Sequence, residues 1–158
     1  MSQRTRSHLG FALRHLVCGC VLAGCSLSCN PSAPLKQPEI VVLATDYAFQ
    51  IPREIPAGPT VFRMDNRGKV PHEMALGQLK PGVSADSLMA YVKQGHDPGD
   101  LSDGVVGILI AAAGQSSLGA LTVPLVQGRT YMMICQFKDA DSLPPHIAMG
   151  MQASFVAK

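Results

Sequence analysis

Charge is scarce in this chain: Asp, Glu, Lys and Arg together make up 15% of 158 residues, against 47% hydrophobic. That balance argues against a disordered chain and against a coiled coil. Tryptophan is absent and aromatics reach only 5%, while 15 glycines and 12 prolines supply many turn positions. A basic surplus is missing too. The formal charge of +2 includes Arg4, Arg6 and Arg14 near the start, and residues 25–158 hold 10 basic against 11 acidic side chains, which argues against nucleic-acid binding. The length allows one ordinary domain and a short appendage. No internal repeat is visible, and no stretch after residue 38 is long enough to cross a bilayer as a helix. Phosphate-cradling glycine loops are absent, and Ser116 and Ser117 lie outside any nucleophile elbow, with no paired base. Cysteine is nearly missing from the part that folds: Cys18, Cys20, Cys25 and Cys29 fall in the first thirty residues, leaving Cys135 alone.

What is present begins with an address. Arg4, Arg6, Arg14 and His15 precede an uncharged stretch from Leu16 to Gly24, shorter than the roughly 20 residues a spanning helix needs. Residues 1–24 read as a signal peptide. Its end, Leu22-Ala23-Gly24-Cys25, resembles the bacterial lipobox, which implies a lipid on Cys25 and a protein tethered on the periplasmic side of a bacterial membrane. An ordinary secretory signal that happens to contain a cysteine is the alternative. Residues 25–38 carry three prolines and read as a flexible tether ahead of a domain over 39–158. A lone thiol in an exported, oxidising compartment must be buried or bound to something.

The domain reads as short strands separated by turn signals. Residues 40–43 and 60–66 are predicted strands, with turns between them at Pro52, Pro56, Gly58 and Pro59. Residues 70–79 form a third, in which Val70, His72, Met74 and Leu76 share one face. Ser84 as N-cap, Asp86 in the first turn, and Leu88, Tyr91 and Val92 at helical spacing predict one helix over 85–94, ended by Gly95. The following loop to residue 104 carries His96, Asp97, Asp100 and Asp103, a solvated surface without the Glu of a calcium loop. Residues 105–112 fit a strand or a short buried segment. Strands over 118–125, 130–137 and 151–156 complete the pattern of an all-β sandwich with one helical insertion.

The last third concentrates soft donors: Cys135, His146, Met149 and Met151 lie within seventeen residues at the end of a strand. A thiolate with two imidazoles and a weak axial thioether suits copper, because sulfur favours Cu(I) and imidazole binds both oxidation states. His72, on the inward face of its strand, is the candidate second imidazole. Each residue has a plainer use: Cys135 as a small core hydrophobe alternating with Tyr131, Met133 and Phe137, the histidines as satisfied edge or loop residues. Zinc on His72, Glu73, Cys135 and His146 is a further alternative.

Three segments carry a resemblance. Val70-Pro71-His72-Glu73-Met74, the run from Gly128 through Tyr131 and Cys135 to Phe137, and Pro145-His146-Ile147-Ala148-Met149-Gly150-Met151 resemble the cupredoxin family, the plastocyanin- and azurin-like blue copper domains. The likeness spans about residues 39–158, with 85–113 as an insertion. It implies a Greek-key β-sandwich holding one copper ion, Cu(I) or Cu(II), on His72, Cys135, His146 and Met151. The four residues between His146 and Met151 match plastocyanin spacing, and Met149 competes as the axial donor. Ten residues separate Cys135 from His146, more than is common in the family, so that loop is expected to bulge into solvent. Glu73 stands where many members have asparagine. The implied function is electron transport by a monomeric one-electron carrier that meets a redox partner protein, with His146 as an electron port among Pro144, Pro145, Ile147 and Ala148. One alternative is a copper carrier that takes the metal from a donor and passes it to an acceptor through Met132, Met133, Met149 and Met151. Another is a metal-free interaction module.

Overall fold

The structure is a computed structural model that describes residues 36–158. The signal peptide, Cys25 and nearly all of the tether lie outside the described residues.

Alternation of apolar and polar side chains makes strands here wherever one face can be covered. In β1 (Glu39–Thr45) the buried residues are Val42 and Ala44. After a two-residue turn come β2 (Ala48–Gln50), the two-residue β3 (Glu54–Ile55) and β4 (Gly58–Asn66), which buries Thr60, Phe62, Met64 and Asn66 at strict period two. In β5 (His72–Leu79) the expected face is borne out: His72, Met74 and Leu76 are all fully buried. The helix α1 (Ala85–Lys93) follows, then β6 (Ser102–Ala111), β7 (Leu121–Leu125), β8 (Thr130–Ile134) and β9 (Gln152–Ala157).

These strands form two mixed sheets, β2-β1-β4-β7 and β3-β9-β8-β5-β6, with β1 parallel to β4 and β3 parallel to β9. The core lies between them. Phe62 of the first sheet meets Phe155 of the second at 5.8 Å between ring centroids, and Tyr131 stacks on Phe155 at 5.3 Å. The Tyr131 hydroxyl donates to Gln78 Oε1 and accepts from the Val126 N–H, so its polar end is satisfied while the ring is buried. The all-β sandwich with one short helix is the expected fold class.

Several boundaries differ from expectation, among them the strand predicted over 130–137, which ends at Ile134, and the one over 70–79, which starts at His72. Pro59 lies inside β4, facing Pro124 on β7. A facing pair without N–H groups suits a ladder position with no inter-strand bond, and β7 is an edge strand, so the turn signal shrinks to Gly58 at φ 104°. Residues 102–111 form a full strand of the sandwich, so the 85–113 insertion reduces to the segment ahead of residue 102. Its pattern was ambiguous because β6 exposes Ile108 and Ile110 while burying Leu109 and Ala111, which leaves the whole run apolar. The strand at 118–125 begins only at Leu121.

The helix forms as its capping residues dictate. Ser84 Oγ accepts from the Ser87 N–H at 3.1 Å, and Ser87 Oγ accepts from the Ser84 N–H at 3.0 Å. Leu88 packs with Leu79 and Met132 against the outer face of the five-stranded sheet. Asp97 caps a 3-10 turn (Pro98–Leu101) by accepting from the Gly99 N–H at 2.7 Å.

Candidate metal centre

Strand pairing brings the donors to one end of the sandwich. His72 opens β5, Cys135 follows the last residue of β8, and the two strands are neighbours with Ala75 opposite Ile134. His146 begins a 3-10 turn (His146–Met149) between β8 and β9. The ten-residue excursion from Cys135 closes at its base: the His146 N–H donates to the Phe137 carbonyl and the Ile147 N–H to the Cys135 carbonyl, both at 2.8 Å. Loop length therefore does not loosen His146, since two backbone bonds fix where it lands.

The ligating atoms converge. Nδ1 of His72 lies 3.2 Å from Nδ1 of His146, and Cys135 Sγ lies 4.0 and 3.4 Å from those two nitrogens. Bond lengths of about 2.0 Å to nitrogen and about 2.3 Å to sulfur would set donors around one ion about 3.4–3.8 Å apart, so this triangle fits a metal with little movement. All three residues are buried, at 1% exposure or less, and they form a group that can hold a metal ion.

Carboxylates lie against the outer nitrogen of each imidazole. Nε2 of His146 is 3.0 Å from Asp139 Oδ1, and Nε2 of His72 is 3.4 Å from Asp46 Oδ1. An ionised carboxylate only accepts, so with the hydrogen on Nε2 each imidazole would turn the lone pair of Nδ1 inward. In that state the two buried Nδ1 atoms, 3.2 Å apart beside the Cys135 sulfur, form a donor set that a cation can bridge.

Burial disfavours the charged forms of two of the three residues. Burial pushes the His72 pKa down, opposed in part by Asp46, and burial pushes the Cys135 thiol up. The Glu73 N–H donates to Cys135 Sγ at 3.4 Å, and Glu73 Oε1 accepts from the Gln136 N–H at 2.8 Å. The residue after His72 thus braces the sulfur through its backbone, and its side chain ties down the start of the loop.

The turn ahead of His72 is held by Asn66. Its Nδ2 donates to the carbonyls of Val70, Ala111 and Ala112 at 2.9–3.2 Å, and its Oδ1 accepts from the Gly68 N–H at 2.8 Å. A Cβ at Gly68 would collide with Asp46 Oδ1 and lie 3.0 Å from His72 Nε2. Glycine is needed there so that Asp46 can reach the imidazole.

Met151 is fully buried, its N–H donates to the His146 carbonyl at 3.0 Å, and its own carbonyl accepts from the Cys135 N–H at 3.2 Å. Met149 is 37% exposed on the turn. Gly150, at φ 103°, reverses the chain between them.

One expectation fails. His146 is not a surface port: its ring is 1% exposed, with Asp139 at Nε2 and the Tyr47 ring edge-on at 5.0 Å. The loop that bulges after Cys135 folds its own carboxylate back over the imidazole. Sequence reasoning also missed Asp46 and Tyr47, and it gives Asn66 and Gly68 only as the close of a strand, without a part in the site. Asp46 and Tyr47 form the turn between β1 and β2, about 25 residues before His72 and 100 before His146, and no local pattern links them to the site. The nearest signal for Asp139 is its place as a charge in the ligand loop.

Two mixed sheets around one core, with the His72–Cys135–His146 triangle at one end, give the chain a cupredoxin-like fold. Among solved structures the chain resembles dithionite-reduced auracyanin from the photosynthetic bacterium Roseiflexus castenholzii, with TM-score 0.50 and 16% identity over 77% of this chain and 98% of that one. It also resembles auracyanin B, with TM-score 0.51 and 19% identity over 78% and 91%. No family model matches the sequence, and no curated protein matches it.

Proposed function

We propose that the chain binds one copper ion through Nδ1 of His72, Sγ of Cys135 and Nδ1 of His146, with Met151 as a weak fourth donor, and carries single electrons. The convergence of two imidazole nitrogens and a thiol in a buried triangle is the observation that carries this reading. Copper bound by such a set supplies a one-electron couple whose two states tolerate the same geometry. The protein's part is to hold that geometry. His72 is fixed by its strand and the Asn66-braced turn, Cys135 by the Glu73 N–H, and His146 by the paired backbone bonds at the base of its loop.

Metal hand-over by ligand exchange needs donors that a partner can reach. Here all three are 1% exposed or less, which favours electron carriage over copper delivery. The partner is then another redox protein, met by a monomer. The lipobox-like segment at Leu22–Cys25 supports placing the domain outside the inner membrane of a bacterium on a lipid anchor at Cys25. No helix among the described residues is long and apolar enough to cross a membrane.

Copper titration of the purified protein, read by visible absorption and electron paramagnetic resonance, tests the reading. One equivalent should bind and give an intense blue species, lost in Cys135→Ser. A colourless copper-loaded protein would overturn it.

A further inference from the structure

The carboxylate that covers His146 is itself held. Asp139 Oδ1 faces His146 Nε2 at 3.0 Å, and Asp139 Oδ2 accepts a hydrogen bond from the hydroxyl of Tyr47, 92 positions away in the turn between β1 and β2. The Tyr47 ring stands edge-on to His146 at 5.0 Å and to His72 at 6.5 Å. The Asp139 side chain is 23% exposed, so one acid and one phenol separate the imidazole from water.

The backbone gives an independent sign that this contact matters. Tyr47 is the one non-glycine residue with positive φ among the described residues, at 66°, in the two-residue turn between Thr45 and Ala48. Glycine or asparagine takes such a position without strain, whereas a bulky side chain there costs about 1–2 kcal/mol. Such strain persists where the surrounding structure holds the residue in place, and here the side chain reaches the cover of the candidate metal centre.

We propose that Asp139 and Tyr47 are positioning residues that fix His146 as the Nε2–H tautomer, exclude water from it, and set the reduction potential of the centre. This rests on the copper reading above. A carboxylate accepting from the ligand imidazole raises the electron density at Nδ1 and favours the more highly charged oxidised ion. The phenol acts in the opposite direction. By donating to the same carboxylate it withdraws part of that charge, so the two residues form a graded pair rather than a simple lid.

Two measurements test this. In metal-free protein, long-range ¹H–¹⁵N spectra should report His146 protonated at Nε2, and Asp139→Asn should disturb that pattern at His146 while leaving His72 unchanged. With copper bound, spectroelectrochemistry should show Asp139→Asn raising the reduced-to-oxidised ratio at a fixed applied potential at least tenfold, about 59 mV for one electron. Tyr47→Phe, which keeps the ring and the carboxylate charge, should shift the ratio at least twofold the other way. A loss of water exclusion alone would move both variants in the same direction and overturn the graded pair. An unchanged potential in Asp139→Asn, or an Nδ1–H tautomer at His146, would overturn the positioning role even in protein that binds copper. Failure to bind copper would remove the carrier reading and the potential claim together, while the metal-free spectra still judge the hold on His146.

Discussion

Asp139 covers His146 from within the same loop: its Oδ1 sits 3.0 Å from an imidazole nitrogen seven residues further along the chain. The excursion after Cys135 therefore supplies a cover for the centre as well as a route back to it. The His72 side is built differently, from Asp46 on the first hairpin and a turn with no room for a Cβ.

Gly68→Ala should separate these two halves. The added methyl must displace Asp46 or the Asn66 amide, at a cost of about 1–3 kcal/mol, as for other overpacked sites. Denaturant unfolding reads the stability, and ring signals of His72 should change while those of His146 stay. Wild-type stability with an undisturbed His72 would contradict the assigned role of this glycine.

Asn66 gives a prediction of sign. In Asn66→Ala, the Gly68 N–H and the carbonyls of Val70, Ala111 and Ala112 lose their partner, and orphaned buried groups cost about 1–3 kcal/mol each. Asn66→Asp should be worse than alanine despite its size, because a carboxylate would then face three carbonyl oxygens. The order of unfolding midpoints, wild type above alanine above aspartate, is the check.

The metal-free protein should be most stable between about pH 6.5 and 8.5. Burial lowers the His72 pKa, so below about 6.5 the unfolded chain takes up a proton that the folded state refuses, and stability falls as the pH drops. Burial raises the Cys135 pKa, so above about 8.5 the unfolded thiol ionises first and stability falls again. Unfolding midpoints of metal-free protein at pH 5.5, 7.5 and 9.5 measure both limbs. Cys135→Ser should remove the alkaline limb and His72→Gln should weaken the acid one.

Ser84→Ala serves as a control remote from the centre. Loss of the reciprocal cap with Ser87 should cost about 0.5–2 kcal/mol of stability and leave the visible spectrum of copper-loaded protein unchanged. A changed spectrum would mean that the helix segment communicates with the site.

Much of the arrangement was legible in the chain because it depends on local rules. Period-two alternation reports which side of a strand is covered, and it placed His72 on the same face as Met74 and Leu76. Capping chemistry placed the start of α1 at Ser84. The closeness of Cys135, His146 and Met151 in sequence identified a donor cluster before any geometry was known. The strand at residues 102–111 was harder, since an edge strand with apolar residues on both faces carries no period.

The amino-acid order alone determined the sandwich, its helix and the donor types, since these follow from side-chain periodicity, caps and the chemistry of sulfur and imidazole. Only the folded chain decided that His146 is covered, which nitrogen of each imidazole faces inward, and that Asp46, Tyr47, Asn66 and Gly68 belong to the centre. Those outcomes depend on hydrogen bonds between residues as much as 92 positions apart. Such contacts exist only once both sheets have closed on one core, and no local pattern in the chain encodes them.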